Sequence, residues 1–341
     1  MNFDNTIFEG KGIFVFSDPA AENAILALVD DLILDGYIPK KDFLVYTNNL
    51  KKTNIHCEDI LNVEDFNENK LNELILNFKP IYFFLGTSLN DYEHNWRKLG
   101  VKHNIRVISF IDHWTNYLER FSFNDELILG NEIWVINEIA KKEAIRVGVP
   151  EKLIEISGNP YYKKIKEFKP KVSKDLFFKS YGFDGLKKTI LFISDDIKRS
   201  FPKNKNGECK LGFDEYSVLK DILISMHELE KDINFSDFQL VIKLHPKSEK
   251  NKFKELISNF SNKSLNVYCI RDCDSLTVNY YSDFVLGMFS NMVIESILMK
   301  KKLLRIQTGE KFDLFKFNNL KPVTKVKDLK EKISDLLIMD Q

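Results

Sequence analysis

The sequence predicts an α/β protein built from two parallel sheets with helices on both faces. Three observations lead there. Short apolar runs alternate with longer helical patterns over almost the whole chain. At 341 residues the chain is long for a single core, so two domains are expected. Near its middle, Gly158-Asn159-Pro160 interrupts the alternation with a sharp change of direction and a stop to regular structure.

The elements follow in order. Residues 12–16, Gly-Ile-Phe-Val-Phe, form a strand with no polar face. Ser17-Asp18-Pro19 turns it into a helix over 20–34, with proline suited to the first turn. A second strand covers 42–46, a helix 69–78 and a third strand 81–85, after which Gly86-Thr87-Ser88 opens a helix ending at 102. Strands at 106–111, 132–136 and 153–156, with a helix at 138–147, complete a first domain over residues 1–160. Residues 161–186 are charged, helical in pattern, and read as a linker. Residues 187–341 form the second domain, with strands at 189–193, 238–244, 265–270, 283–287 and 303–306. Its helices are 216–231, 252–259, 292–299 and 326–339, and the polar stretch 198–212 reads as a long loop over the sheet edge.

Composition narrows the function. Fifty basic residues balance fifty acidic ones, which argues against a nucleic-acid binder. No stretch reaches the roughly 18 to 20 apolar residues of a membrane span, and the N-terminus lacks a secretory pattern. Cys57, Cys209, Cys269 and Cys273 have no framework spacing, so reduced cytoplasmic thiols are expected.

Two signals in the second half point to chemistry. The strand 238–244 ends in His245-Pro246-Lys247, and the strand 283–287 leads through a small turn at Ser290-Asn291 into a helix carrying Glu295. At the carboxyl edge of an open sheet, an imidazole, a hydroxyl and a helix N-terminus can hold phosphate without a metal. The plainer readings are a strand-end histidine bonded to a loop, a helix cap at Ser290 or Asn291, and a solvated glutamate.

In the first half the densest polar and aromatic cluster is Asp112-His113-Trp114-Thr115-Asn116-Tyr117, directly after a strand. Asp112 or His113 can serve as a general base, and Trp114, Asn116 and Tyr117 can contact a sugar. The competing account is a helix start capped by Asp112. Asp18 caps the first helix and is a reserve base, with Ser17 beside it. Thr87 and Ser88 either bind an acceptor or cap a helix. Asp272-Cys273-Asp274 has the spacing of a metal-binding pair, but its place late in a second sheet favours Asp274 or Ser275 as a cap and Asp272 beside a nucleobase.

On these residues the chain resembles the GT-B architecture, two Rossmann-like domains with parallel sheets facing a central cleft, over nearly its whole length. Gly158-Asn159-Pro160 resembles the crossover between domains. His245-Pro246 with Ser290 and Glu295 resembles the His-Pro and serine motifs of bacterial sialyltransferases, Kdo transferases and glycerophosphotransferases. The resemblance implies a metal-independent, inverting glycosyltransferase of surface-glycan assembly. Residues 1–160 would take the acceptor and 187–341 the nucleotide donor, CMP- or CDP-linked ahead of UDP-linked. The nucleotide sugar is a substrate, so no cofactor or metal is expected. The acceptor would be a glycan, a lipid-linked group or a protein, with peripheral membrane contact left open. The alternatives are a nucleotide-sugar hydrolase or 2-epimerase of the same fold, or a non-catalytic binding protein.

Overall fold

A computed structural model describes residues 5–34, 36–37, 39–48, 61–201, 209, 211–260, 265–308 and 315–338. The chain divides into two compact units, Met1–Lys164 and Ile165–Gln341.

The first unit runs β1 (Gly12–Phe16), α1 (Pro19–Leu34), β2 (Phe43–Thr47), β3 (Leu61–Val63), α2 (Glu68–Phe78), β4 (Tyr82–Leu85) and α3 (Asp91–Lys102). It continues through β5 (Arg106–Ile111), β6 (Ser122–Phe123), β7 (Glu126–Leu127), β8 (Glu132–Val135), α4 (Glu138–Arg146) and β9 (Ile154–Ile156). Seven strands form one parallel sheet in the order β3-β2-β1-β4-β5-β8-β9. β1 and β4 are buried at every residue, as their unbroken apolar sequences require of strands covered on both faces. α3 is buried well beyond one stripe. Trp96 and Arg97 are both fully enclosed, with the Arg97 guanidinium 4.7 Å from the Phe121 ring centre.

α5 (Tyr161–Lys166) spans the division between the units. The second unit then runs α6 (Lys174–Tyr181), β10 (Lys188–Ile193), α7 (Ile197–Ser200), α8 (Glu215–Leu229), β11 (Phe238–Lys243), α9 (Lys254–Asn259) and β12 (Asn266–Ile270). α10 (Ser275–Tyr281), β13 (Phe284–Gly287), α11 (Asn291–Leu298), β14 (Lys302–Arg305) and α12 (Val326–Ile338) complete it. Its five strands pair in parallel in the order β12-β11-β10-β13-β14. Ile222 of α8 and Ile333 of α12 join the same core as Phe192 and Ile242 of the sheet. The expected α/β class with two parallel sheets is what the chain forms.

Both sheets share a topological feature that locates their crevices. In the first, the chain lays β2 and β3 on one side of β1 and then returns to place β4 on the other. In the second, β11 and β12 lie on one side of β10, and β13 on the other. Where successive connections diverge in this way, helices peel off to opposite faces and leave a gap at the strands' carboxyl ends. The β1/β4 and β10/β13 junctions are those gaps.

Several expectations are corrected. The helix start that competed with a site at 112–117 does not form: residues 112–118 are irregular, Asn116 has a left-handed φ of 58°, and a single 3-10 turn follows at Glu119–Phe121. A hairpin absent from the sequence reading, β6–β7, turns on Asn124 and Asp125, both with positive φ (49° and 62°), as a two-residue primed turn demands. β3 was also not expected. The helix expected to open at 86–88 begins at Asp91, because Asn90 supplies the cap by accepting from the Tyr92 amide at 3.0 Å. Of the expected loop 198–212, residues 197–200 form α7, whereas 202–208 and 210 lie outside the described residues, as do Cys57, residues 1–4 and residue 339. No helix among the described residues is long and apolar enough to cross a membrane.

Gly287 fixes how closely α11 approaches β13. A Cβ there would stand 2.7 Å from Val293 Cγ2, and valine's branched stem cannot swing away. Gly287→Ala is expected to destabilise the fold by about 1–3 kcal/mol, measured by urea denaturation.

Candidate functional site

At the carboxyl edge of the first sheet, the ends of β1, β4 and β5 bring together most of the polar residues singled out in this half. Asp18 caps α1, its Oδ1 accepting from the amides of Ala20 (2.9 Å) and Ala21 (3.0 Å). Ser17 Oγ lies 2.8 Å from Ser88 Oγ and 2.8 and 2.7 Å from the two oxygens of Glu93. Ser88 also donates to Glu93, and Asn90 Nδ2 donates to Ser17 Oγ at 2.9 Å. Ser88 is thus no helix cap; it ties the β4 turn to a fully buried glutamate. Thr87 is no cap either, since its hydroxyl donates to the Phe110 carbonyl of β5 at 3.0 Å.

Asp112 is buried at the end of β5, and Arg120 reaches back to it. The Arg120 guanidinium donates to the Thr87 carbonyl (2.6 Å) and the Thr115 carbonyl (3.0 Å), and stands 3.5 Å from Asp112 Oδ1. Burial, then the neighbouring negative charge of Asp18, pushes the Asp112 carboxyl up to about 6, against the pull of Arg120. Burial, then the Arg120 charge, pushes His113 down to about 4, so its ring is neutral near pH 7. His113 Nδ1 lies 3.1 Å from Thr115 Oγ1. Burial also raises Glu93, against the bonds it accepts from Ser88 and Ser17. A carboxyl that titrates near neutrality next to a neutral imidazole can exchange protons with a bound substrate.

The aromatic residues of this cluster are placed differently from the sugar-stacking role expected of them. Trp114 and Tyr117 are only 7% and 3% exposed, so neither offers a ring face. Trp114 Nε1 donates to Asn137 Oδ1 at 3.1 Å, and Asn137 caps α4. Only Asn116 of the three expected contacts is exposed.

In the second unit, β10 lies between β11 and β13, so the loops bearing His245 and Ser290 leave one sheet edge two strand spacings apart, roughly 10 Å. His245 is half-buried and its Nδ1 accepts from the Lys247 amide at 3.2 Å, which leaves the neutral ring's proton on Nε2, free to donate. Burial lowers its pKa, as do Lys247, Arg199 and Lys252, while Asp196 opposes them. Pro246 and Lys247 are exposed. Ser290 occupies the cap position of α11, yet its side chain makes no capping bond and its buried Oγ has no hydrogen-bond partner. Asn291, exposed, is the first residue of that helix.

Glu295 is buried rather than solvated, and its Oε2 has no partner. Burial, then the Asp274 charge, pushes it up to about 8, against Lys243. Asp274 caps α10 by accepting from the Thr277 amide at 2.8 Å. Asp272 is exposed and engaged by Arg271 (2.8 and 3.1 Å) and Lys250 (3.0 Å), which lower its pKa.

Sequence reasoning missed Arg120, which stands in the short 3-10 turn Glu119–Phe121 and belongs to no motif, and Asp195, the buried second residue after β10. The strand-end rule that selected His245 applies equally to Asp195.

A pH-dependent stability follows from Glu295. Its folded pKa exceeds the unfolded value of 4.5, so its contribution is lost as pH rises from there through about 8. Glu295→Gln is therefore expected to match wild type in acid and to exceed it by on the order of 4 kcal/mol above about pH 8. Urea titrations across that range measure the gap; a constant gap would mean that Glu295 titrates normally.

No protein-family model and no curated protein sequence matches the chain. Solved structures do match its fold. A putative UDP-N-acetylglucosamine 2-epimerase from Listeria monocytogenes shares 12% identity over 96% of this chain and 87% of its own, with a TM-score of 0.64. Anabaena Alr3699/HepE in complex with UDP shares 12% over 97% and 91%, with a TM-score of 0.61. UDP-GlcNAc 2-epimerase from Neisseria meningitidis bound to UDP-GlcNAc shares 13% over 96% and 91%, with a TM-score of 0.57. At such identity the likeness is one of fold. It corrects the expectation of a glycosyltransferase, because most of these whole-chain neighbours are named 2-epimerases. Strand-end groups suited to phosphate do not distinguish transfer to an acceptor from chemistry on the sugar itself. The chain has a GT-B-like α/β fold.

Proposed function

We propose that this protein binds a UDP-linked sugar and acts on it without a separate acceptor, as a nucleotide-sugar 2-epimerase or hydrolase. The observation that carries the chemistry is Asp112, a carboxyl buried at the end of β5 with Arg120 3.5 Å away, which burial pushes up to about 6. Inverting the carbon next to the anomeric centre takes its hydrogen away as a proton while the anomeric C–O bond to the diphosphate breaks and the electron pair closes a C=C bond. Protonation from the other face as the diphosphate adds back gives the epimer, and addition of water in its place gives the hydrolysis product. Such a step needs a group that can hold and release a proton close to neutral pH. The substrate class draws support from whole-chain fold neighbours solved with UDP or UDP-GlcNAc, which also favours uridine over cytidine.

In this reading Asp112 moves the proton, with His113 and Asp18 as the adjoining groups on the first sheet. His245 Nε2–H, the Ser290 hydroxyl and the first amides of α11 at Asn291 take the diphosphate. Lys247 supplies positive charge nearby, whereas Arg199 is paired with Asp196 at 2.6 Å, and Glu295 and Asp272 are assigned to the nucleoside. Fixed dipoles aimed at the departing diphosphate stabilise charge as it develops there.

Incubation with UDP-GlcNAc and no acceptor, followed by NMR, tests the proposal. Wild type is expected to yield the 2-epimer or to release UDP. Asp112→Asn should lower turnover by about 10²–10⁴-fold with UDP affinity unchanged, and normal turnover would remove Asp112 from its role. His245→Ala should weaken UDP binding by roughly tenfold in calorimetry, the loss of one hydrogen bond to a charged group. Tight UDP binding with no product from any UDP-sugar would favour a non-catalytic binding protein instead.

A further inference from the structure

Asp195 stands between the two elements assigned to the diphosphate. It follows β10, whose neighbours β11 and β13 deliver His245 and the 288–290 turn. Its carboxyl is buried, and Oδ2 accepts from the Phe289 amide at 3.4 Å. Ser290 Oγ lies close enough to favour the charged carboxylate but outside hydrogen-bond geometry. At this turn Ser290 Oγ, and further along α11 Glu295 Oε2, are buried without protein partners. A negative side chain therefore sits beneath donors that an incoming anion would need.

We infer that Asp195 is a positioning residue that couples anion binding at the 288–291 turn to a proton: ionised, it competes with the anion for the turn, and it becomes neutral when the anion is seated. This rests on the nucleotide reading above. The surroundings set the balance. Glu215 of α8 opposes ionisation of Asp195 and Lys252 favours it. Asp196, next in the chain, is held by Arg199 (2.6 Å) and Lys252 (3.4 Å), and Lys252 also grips Glu215 (2.6 Å), so the nearby cations are already engaged. His245, on the adjoining strand end, is the other group that can take up a proton on anion binding. Burial pushes Asp195 up to about 6, which places the transition within a working pH range.

Calorimetric titration with UDP, between about pH 5.5 and 8.5, compares wild type with Asp195→Asn, which keeps an oxygen for the Phe289 amide. The ligand's own ionisation is common to both proteins, so the ratio of affinities isolates residue 195. That ratio should be near one in acid and favour the variant by about tenfold or more at pH 8. Parallel affinities overturn the inference and leave the nucleotide reading standing, whereas absence of UDP binding at every pH overturns both. Should Asp195→Asn fail to fold, proton uptake by His245→Gln on binding UDP-glucose, whose charge is constant in this range, decides the matter. Uptake that persists supports Asp195; uptake that disappears belongs to the imidazole and overturns the assignment.

Discussion

Parallel strands buried on both faces admit polar side chains along their length only where their hydrogen bonds are made, as Gln239 inside β11 donates to the Asp184 carbonyl and the Thr189 hydroxyl, and most of this molecule's chemistry follows from that constraint. β1 and β4 hold only apolar and aromatic residues plus one glycine, and every residue is enclosed. Polar groups enter where the strands stop, at Ser17-Asp18, Thr87-Ser88 and Asp112 in one unit and at Asp195, His245 and Ser290 in the other. Because all strands of a sheet point the same way, these ends share one rim. Chemistry is thereby concentrated at one edge of each sheet.

The two rims handle buried charge differently. In the first, Asp18, Glu93 and Asp112 influence one another and Arg120 is the cation closest to Asp112, so burial and like charge together raise Asp112 and Glu93. Glu93 is further supported by hydroxyls from Ser17 and Ser88, and Arg97, one turn along α3, feels its charge. In the second rim Lys252 and Arg199 are matched against Asp196 and Glu215. Asp195 stands beside that matched set, Glu295 lies instead near Asp274 and Lys243, and neither has a side-chain ion pair of its own among the described residues. An acid left over from pairing in a low-dielectric edge keeps its proton to higher pH.

Much of this was legible in the sequence because it is local. Continuous apolar runs such as 12–16 and 190–193 marked the buried strands, and the residues just after a strand marked candidate groups. Asp18 as a cap and Asp274 as a cap follow from side-chain chemistry within three residues. What sequence reading missed is non-local or conformational. Asn116 in a left-handed conformation leaves 112–118 irregular, so the helix start weighed against a site there does not form. The exposure expected of Trp114 and Tyr117 failed because neighbouring segments closed over both rings. Asp195 carries no motif of its own, and it gains significance only once the order β11-β10-β13 sets it between two loops from elsewhere in the chain. The transferase expectation failed for another reason: short strand-end motifs speak to phosphate, and reactions with different outcomes share that need.

The contact between Gly287 and Val293 has a consequence for how this sequence can drift over generations. With 2.7 Å between a hypothetical Cβ and the valine methyl, neither position has room to grow alone. A bulkier residue at 287 becomes admissible only once 293 has shrunk, so the pair should be inherited as a unit, trading volume between strand end and helix.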